Sequence, residues 1–524
     1  MRDFHQPGRS AVYGTNGMVA TSNPLSSKVA VQILEAGGNA MDAAIAAAVL
    51  QGVLEPQMTG IGGDCFMLIS PAGSEEVIAL NGSGRAPAAL DGARIRNAGH
   101  KQMPLGDVES VTLPGAIDAF CRASRDFGEI GMKASLAPAI YYMKAGVPIG
   151  PRTAFDWGLA ADRLQGDARE FYLLDGKVPR AGQVFAAPKQ AQVLEQIAQK
   201  GRAGFYMGEV AEDMVASLNA LGGVHTLDDF ADVACEYCDP ISGDYGRFEM
   251  VEHPPNGQGA TAICMNNILS QFDIAGMNPY GVERTHIEAE AAKLAYDARN
   301  RFIADHSARI DHMLSMDTAV KLAALIDPKV AMQNPECVSE AVHKETICLS
   351  VVDKDQMSVS LIYSIFHSFG SGLASSKFGI NFQNRGAGFT LQEDHPNEAM
   401  GGKRPMHTII PGMLRQSGKV VMPFAVMGGA YQPNGHHRLV SNIRDFGMDI
   451  QTAIDGPRSF ATDGVLKIER GYTDAVRQGL VDLGHQVTTP EVPIGGAQAV
   501  WIDQKRGVLV GASDGRKEGA ALGY

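Results

Sequence analysis

The chain has 524 residues, 45% hydrophobic and 20% charged, a profile that fits a globular enzyme and excludes a disordered or fibrous chain. A formal net charge of −13, with no basic run interleaved with aromatics, excludes nucleic acid as a partner. No stretch approaches the roughly 18 apolar residues of a membrane span, Met1 to Ser10 hold no apolar signal region, and seven cysteines follow no scaffold spacing, so a cytoplasmic protein is expected.

Met18 to Ser22 reads as a short strand, followed by a helix from Ser26 to Ala36 that Gly37-Gly38 stops. Asn39 is placed to cap the next helix, Ala40 to Leu50, whose apolar character nearly all round predicts burial between layers. Glu55-Pro56-Gln57-Met58-Thr59-Gly60-Ile61-Gly62-Gly63-Asp64 then leads into a strand from Cys65 to Ser70. This Gly-rich loop has neither Gly-Lys-Ser/Thr nor dinucleotide spacing, so phosphate binding is not expected. Thr112-Leu113-Pro114-Gly115 opens a mostly helical middle through Ala139-Ile140-Tyr141 and Val193 to Gln199. A strand begins near Pro240, a helix of period 3.6 runs through Ile268, and His286 to Tyr296 reads as an amphipathic helix. Residues 307–345, polar and charged at their end, are expected as an exposed linker.

Lys344-Glu345-Thr346-Ile347-Cys348-Leu349-Ser350-Val351-Val352-Asp353 runs abruptly from polar residues into a β-branched strand. After a short turn, Met357 to Ile365 alternates: Ser358, Ser360 and Ser364 share one parity, Val359, Leu361, Tyr363 and Ile365 the other. Period-two alternation predicts a hairpin with one buried face, and on its own this stretch reads as a core hairpin. Phe369-Gly370-Ser371-Gly372 turns the chain away, a strand through Ala425 ends at Met427-Gly428-Gly429-Ala430, and a helix is expected near Arg438 to Asp445.

Thr-x-x-x-Ser-Val-Val-Asp-Lys-Asp from Thr346, the serine-bearing second strand and Phe369-Gly370-Ser371-Gly372 together resemble the γ-glutamyltranspeptidase family. Gly37-Gly38-Asn39-Ala40, Gly60-Ile61-Gly62-Gly63-Asp64, Asn381 to Phe389, Arg404-Pro405, Gly456-Pro457-Arg458 and Gly511-Ala512-Ser513-Asp514 extend the likeness over essentially the whole chain, in the family's order. The resemblance implies an α+β, four-layer αββα sandwich of the N-terminal-nucleophile hydrolase type, made as one proenzyme. It implies self-cleavage between Glu345 and Thr346, giving an interwoven large subunit of residues 1–345 and small subunit of 346–524. Threonine suits this chemistry, because its β-hydroxyl can attack the preceding carbonyl and its freed α-amine, with a reference pKa of roughly 7.7–8.0, can then serve as base. Ser364 takes the family position that hydrogen-bonds the nucleophile. Gly428 and Gly429 could present two N–H groups to an oxyanion, an ordinary turn being the alternative.

The acyl-donor pocket departs from the family pattern. Arg385 and Gly388 stand where a Gln-x-x-Asp group holds a donor ammonium, Phe366 replaces an asparagine, and His407-Thr408 replace paired serines. Ser83 occupies the usual carboxylate-binding arginine position, while Arg85 adjoins Ala86-Pro87. Groups that hold an ammonium are therefore missing, and arginine, a bidentate carboxylate partner, is gained. Arg85, Arg385, His407 and Thr408 are the expected substrate contacts. The loop from Thr390 to Lys403 reads as a shortened lid.

The implied activity is amide cleavage through an acyl-Thr346 ester, γ-glutamyltransferase or glutathione hydrolase by default. A related amidohydrolase or acylase of the oxamate or cephalosporin type is the alternative, and an unprocessed binding protein on the same fold is the rival of another class. The expected partners are a small amide substrate, water or an amine acceptor, and the two fragments for each other, a dimer of these remaining open. No cofactor or metal is expected. Cys235-x-x-Cys238 lacks a second ligand pair, Ser513 lacks the downstream histidine of a nucleophile elbow, His286 and Glu290 read as a surface pair, and His436-His437 as loop residues.

Overall fold

The computed structural model describes residues 8–307, 309–332 and 346–524. In its first part the sheet strands are β1 (Val12–Gly14), β2 (Met18–Thr21), β3 (Asp64–Ser70), β4 (Ile78–Gly82), β5 (Glu236–Cys238), β6 (Ile241–Tyr245) and β7 (Phe248–Glu252). After residue 346 come β8 (Ile347–Val352), β9 (Ser358–Ser364), β10 (Pro411–Gln416), β11 (Lys419–Met427), β12 (Gly496–Asp503), β13 (Val508–Ser513) and β14 (Ala520–Gly523). Among the described residues these form two seven-stranded antiparallel sheets, ordered β1-β13-β12-β11-β10-β7-β6 and β14-β2-β8-β9-β3-β4-β5. Strands from either side of residue 346 pair directly in both: β2 with β8, β3 with β9, β7 with β10, and β1 with β13. Each sheet takes strands from both halves of the chain, so neither half holds a complete sheet.

Helices cover both outer faces, giving the four-layer αββα sandwich. Against the second sheet lie α1 (Pro24–Glu35), α2 (Ala40–Leu54), α3 (Ala116–Phe127) and α4 (Gly131–Ala145), in one core with Ile347, Leu349, Val351, Val359, Leu361 and Tyr363. Asn39 and Asp42 close a capping box at the start of α2, and every residue of that helix is buried. Its alanine-rich surface lets it sit between the sheet and the outer helices, as its composition predicts. The first sheet is covered by α5 (Gly259–Leu269), α6 (Val282–Phe302), α7 (Ile310–Leu314), α8 (Met316–Ala323) and α9 (Gln432–Arg444), with Ile263 and Val440 packing on Met250 and Phe424. Among the described residues no helix is long and apolar enough to cross a membrane.

Four expectations change. The hairpin β8–β9 buries both faces, because its serine side is the layer between the sheets: Ser360 Oγ donates to the Phe424 carbonyl at 2.7 Å and Ser350 Oγ to that of Gln498 at 3.2 Å. The expected amphipathic helix, α6, is buried over most of its length, His286 and Glu290 included, because its polar side chains face partners in a second helical layer. His436 and His437 lie within α9, not in a loop, where His436 meets Glu252 at 2.6 Å and His437 meets Asn266 at 2.6 Å. Of the stretch expected as an exposed linker, α7 and α8 are folded, with Met313, Ala319, Ala323 and Ile326 packed into the α5–α6 core. Residues 333–345, including Glu345 and the bond it forms with Thr346, lie outside the described residues.

Candidate active site

Thr346 lies at the mouth of β8, 2% exposed, and its Oγ1 donates to Ser364 Oγ at 3.2 Å at the end of the paired strand. Ser364 Oγ also accepts the N–H of Phe366 at 2.9 Å. The register explains the meeting: Ile347 pairs with Tyr363, so the next pair outward is Thr346 with Ser364, on the face between the sheets. On that face Ser360 meets Phe424, and Cys348 Sγ meets the Ala425 carbonyl at 3.4 Å with Met427 packed beside it. Thr346 and Ser364 are the next residues outward on that face, towards the end of β11, where Gly428 and Gly429 follow Met427.

Those glycines have φ values of 124° and 57°, backbone that side chains rarely adopt, and they lead through a 3-10 turn into α9. The positive end of the α9 dipole therefore faces this corner. Gln258 Nε2 ties the corner together, donating to the carbonyls of Thr408 (2.6 Å) and Gly429 (2.9 Å), while its Oε1 accepts from Arg299 at 3.0 Å. The Gly62-Gly63 doublet lets the backbone come close here: a Cβ on Gly63 would lie 2.4 Å from the Ser364 carbonyl oxygen, and one on Gly62 2.2 Å from that of Asn381.

Asp64 is the hub beneath the pocket, a residue whose position in the Gly-rich motif was its only sequence signal. Its Oδ1 accepts from Gly84 N (2.9 Å), Gly115 N (3.1 Å) and Gln383 Nε2 (2.9 Å), and its Oδ2 from His407 Nε2 (3.2 Å). His407 Nδ1 accepts the Ile409 N–H at 3.3 Å, so both ring nitrogens are engaged in the fold. Burial first, and Arg385 second, push the His407 imidazole down to about 3, leaving it neutral. His407, expected as a substrate contact, is a neutral strut packed on Phe66.

Arg385 is fully buried. Its Nη1 donates to Thr408 Oγ1 at 3.1 Å, and its guanidinium lies over the Phe366 ring, 4.1 Å from the centroid. Its Nε and Nη2 are buried with no partner among the described residues. Burial pushes its ionisation down to about 9, so it stays charged at neutral pH. Phe366 itself is held at φ 80°, a strained setting for an aromatic residue. Arg85, by contrast, is engaged by other groups of the chain: its guanidinium binds Asp305 (3.0 Å), Glu236 (3.2 Å) and the Gly402 carbonyl (3.0 Å) at a half-exposed rim. The loop from Thr390 to Lys403 is tied back through Leu391 and Ala399, which pack with Leu90, Ile95 and Met103.

Outside this site, His286, Glu290 and His485 bring ligand atoms within 4.8 Å of one another, but Lys293 Nζ sits 2.6 Å from Glu290 and supplies the cation there. Burial pushes the Cys235 and Cys238 thiols up to about 12, which makes them poor nucleophiles. Ser513 lies on regular strand β13, its Oγ donating to the Thr21 carbonyl at 3.3 Å.

A model of the gamma-glutamyltranspeptidase family matches residues 26–524. A glutathione hydrolase-like proenzyme of Bacillus subtilis, YwrD, is 32% identical over 98% of this chain and 99% of its own. An oxamate amidohydrolase proenzyme of Klebsiella pneumoniae is 31% identical over 98% of this chain and 100% of its own. Among solved structures, a cephalosporin acylase from Bacillus halodurans superposes with a TM-score of 0.93 at 36% identity, covering 100% of this chain and 99% of that one.

Proposed function

The chain belongs to the γ-glutamyltranspeptidase family of N-terminal-nucleophile amidohydrolases and acyltransferases, and on that premise we propose that Thr346 is its self-generated nucleophile. The observation that carries this reading is the Thr346–Ser364 contact at 3.2 Å. Ser364, held in turn by the Phe366 N–H, orients the threonine hydroxyl. In maturation Oγ1 of Thr346 attacks the Glu345 carbonyl, the peptide nitrogen leaves as an amine, and water opens the resulting ester. The relatives' description as proenzymes supports this step.

In turnover the freed α-amine takes the Oγ1 proton as the oxygen attacks the substrate amide. The oxyanion forms against the N–H groups of Gly428 and Gly429, near the positive end of α9. Collapse expels the amine with the transferred proton, leaving an acyl-Thr346 ester that water, or an amine acceptor, cleaves. The interleaved strands keep both fragments in one body after the cut. The relatives' names span glutathione hydrolysis, oxamate hydrolysis and cephalosporin acylase activity, so amide cleavage is the shared chemistry. Cytoplasmic placement belongs to the same proposal, to be tested by cell fractionation.

Purified protein should resolve into two bands on a denaturing gel, and the smaller fragment should begin at Thr346 on N-terminal sequencing. A different first residue, or one lasting full-length band, would remove Thr346 from the nucleophile's role.

A further inference from the structure

We propose that Arg385 is a receptor for a carboxylate on the acyl group, so that the preferred substrates are mono-amides of dicarboxylic acids that carry no ammonium beside the acyl chain. This rests on Thr346 being the nucleophile and names what its site selects. A guanidinium withdrawn from water loses solvation that only a counter-charge and a full set of hydrogen bonds restore. Arg385 has neither: one N–H reaches Thr408, the π face of Phe366 covers one side, and Nε and Nη2 have no partner among the described residues. Asp64, the acid that acts on it among the described residues, already accepts from two backbone N–H groups, Gln383 and His407.

Nε and Nη2 lie on one edge of the guanidinium plane, the edge that matches the two oxygens of a carboxylate. The pocket is also connected to the chemistry. Phe366, under the guanidinium, donates its N–H to Ser364, which holds Thr346, and Thr408, on Nη1, is bound through Gln258 to Gly429. Phe366 makes this contact from a strained backbone setting, φ 80°. An ammonium on the same acyl chain would face this cation with no free acidic side chain among the described residues to receive it, which disfavours γ-glutamyl donors.

The test compares kcat/KM for glutaryl-, γ-glutamyl- and butyryl-p-nitroanilide on the processed wild type and on Arg385→Gln and Arg385→Lys. The glutaryl compound should lead in the wild type. The glutaryl-to-butyryl ratio should fall roughly 10- to 100-fold in Arg385→Gln, the range set by a charged hydrogen-bond pair, and partly recover in Arg385→Lys. Glutarate should also inhibit the wild type more strongly than glutamate or butyrate, a measurement that stands even if the variants fail to mature. A wild type that is cut at Thr346 and turns over, yet prefers the γ-glutamyl or butyryl donor or is inhibited equally by all three acids, overturns the carboxylate receptor and leaves the nucleophile intact. Absence of cleavage and of any turnover would overturn both.

Discussion

The Arg385 pocket and the helical layer around Arg284 both bury guanidinium groups, and they treat them in opposite ways. Arg284, fully buried, donates to Glu288 (2.7 Å), the Pro279 carbonyl (2.9 Å), Asn442 (2.8 Å) and Ser441 (3.2 Å). Arg438 binds the other oxygen of Glu288, with Tyr472 and the Pro457 carbonyl taking its remaining edges. Burial alone would raise the Glu288 carboxyl, but Arg284 and Arg438 together hold it well below the usual carboxylate range. In the pocket the same side-chain type is left half satisfied. A closed network holds the scaffold, whereas an open one keeps its capacity for a ligand.

The comparison can be broken from either side. The largest effect should come from Thr346→Ala, which removes the proposed nucleophile while touching neither network. Hydrolysis should fall by something on the order of 10⁶-fold, the chain should stay uncut, and its melting temperature should change little. Residual cutting and turnover near wild-type levels would end the pocket's claim to chemistry.

On the scaffold side, Glu288→Ala leaves two buried guanidinium groups without their carboxylate. A loss of about 3–5 kcal/mol in unfolding free energy is expected, read by chemical denaturation, with no shift in the glutaryl-to-butyryl ratio of the protein that folds. A loss under 1 kcal/mol would mean that this network is as dispensable as a surface pair.

Acid should act on buried histidines before it reaches the carboxylates. His253 and His407 pack on Phe66 beneath the pocket, and burial pushes them down to about 4 and about 3. In the unfolded chain they protonate near 6.5, so below that pH the unfolded state binds protons the native state refuses, and stability falls. The loss should begin near pH 6.5 and grow by up to about 1.4 kcal/mol per pH unit for each histidine. Glu288, whose carboxyl is depressed, contributes stability above its unfolded value near 4.3 and loses it only as the pH falls towards its lower folded value. Denaturation curves at pH 7.5, 6 and 5 should therefore show stability falling before any carboxylate network fails, and a flat profile down to pH 5 would contradict it.

The smallest effect is expected for Arg85→Ala. Its ion pairs with Glu236 and Asp305 are at a half-exposed rim, where such pairs contribute under about 1 kcal/mol. KM for glutaryl-p-nitroanilide should move by less than roughly threefold. A larger rise would return Arg85 to the set of substrate contacts.

Much of this was legible in the chain. Asn39 before an alanine-rich run forecast a capped, buried α2, and the alternation from Met357 to Ile365 forecast β9, since caps and period-two patterns are local properties. Thr346 and Ser364 could be paired from the hairpin alone, because strand register follows from the turn between them. Other features had no local signal. The serine face of β8–β9 reads as a solvent face until a second sheet is placed against it. His286 and Glu290 look exposed at helical spacing until Asp327, Met332 and His485 are laid over them.

The pocket marks the boundary most sharply. Residue types alone determined that Arg385 and Gly388 could not hold an ammonium, since neither carries an acceptor side chain. Burial, and which of two arginines would be spent on other partners, were decided by tertiary structure. Arg85 and Arg385 are equal candidates on paper, separated by contacts more than a hundred residues away in the chain: Glu236 and Asp305 for the first, and an Asp64 already saturated for the second. Whether a charge is satisfied depends on every group that converges on it in space, and sequence order does not record that convergence.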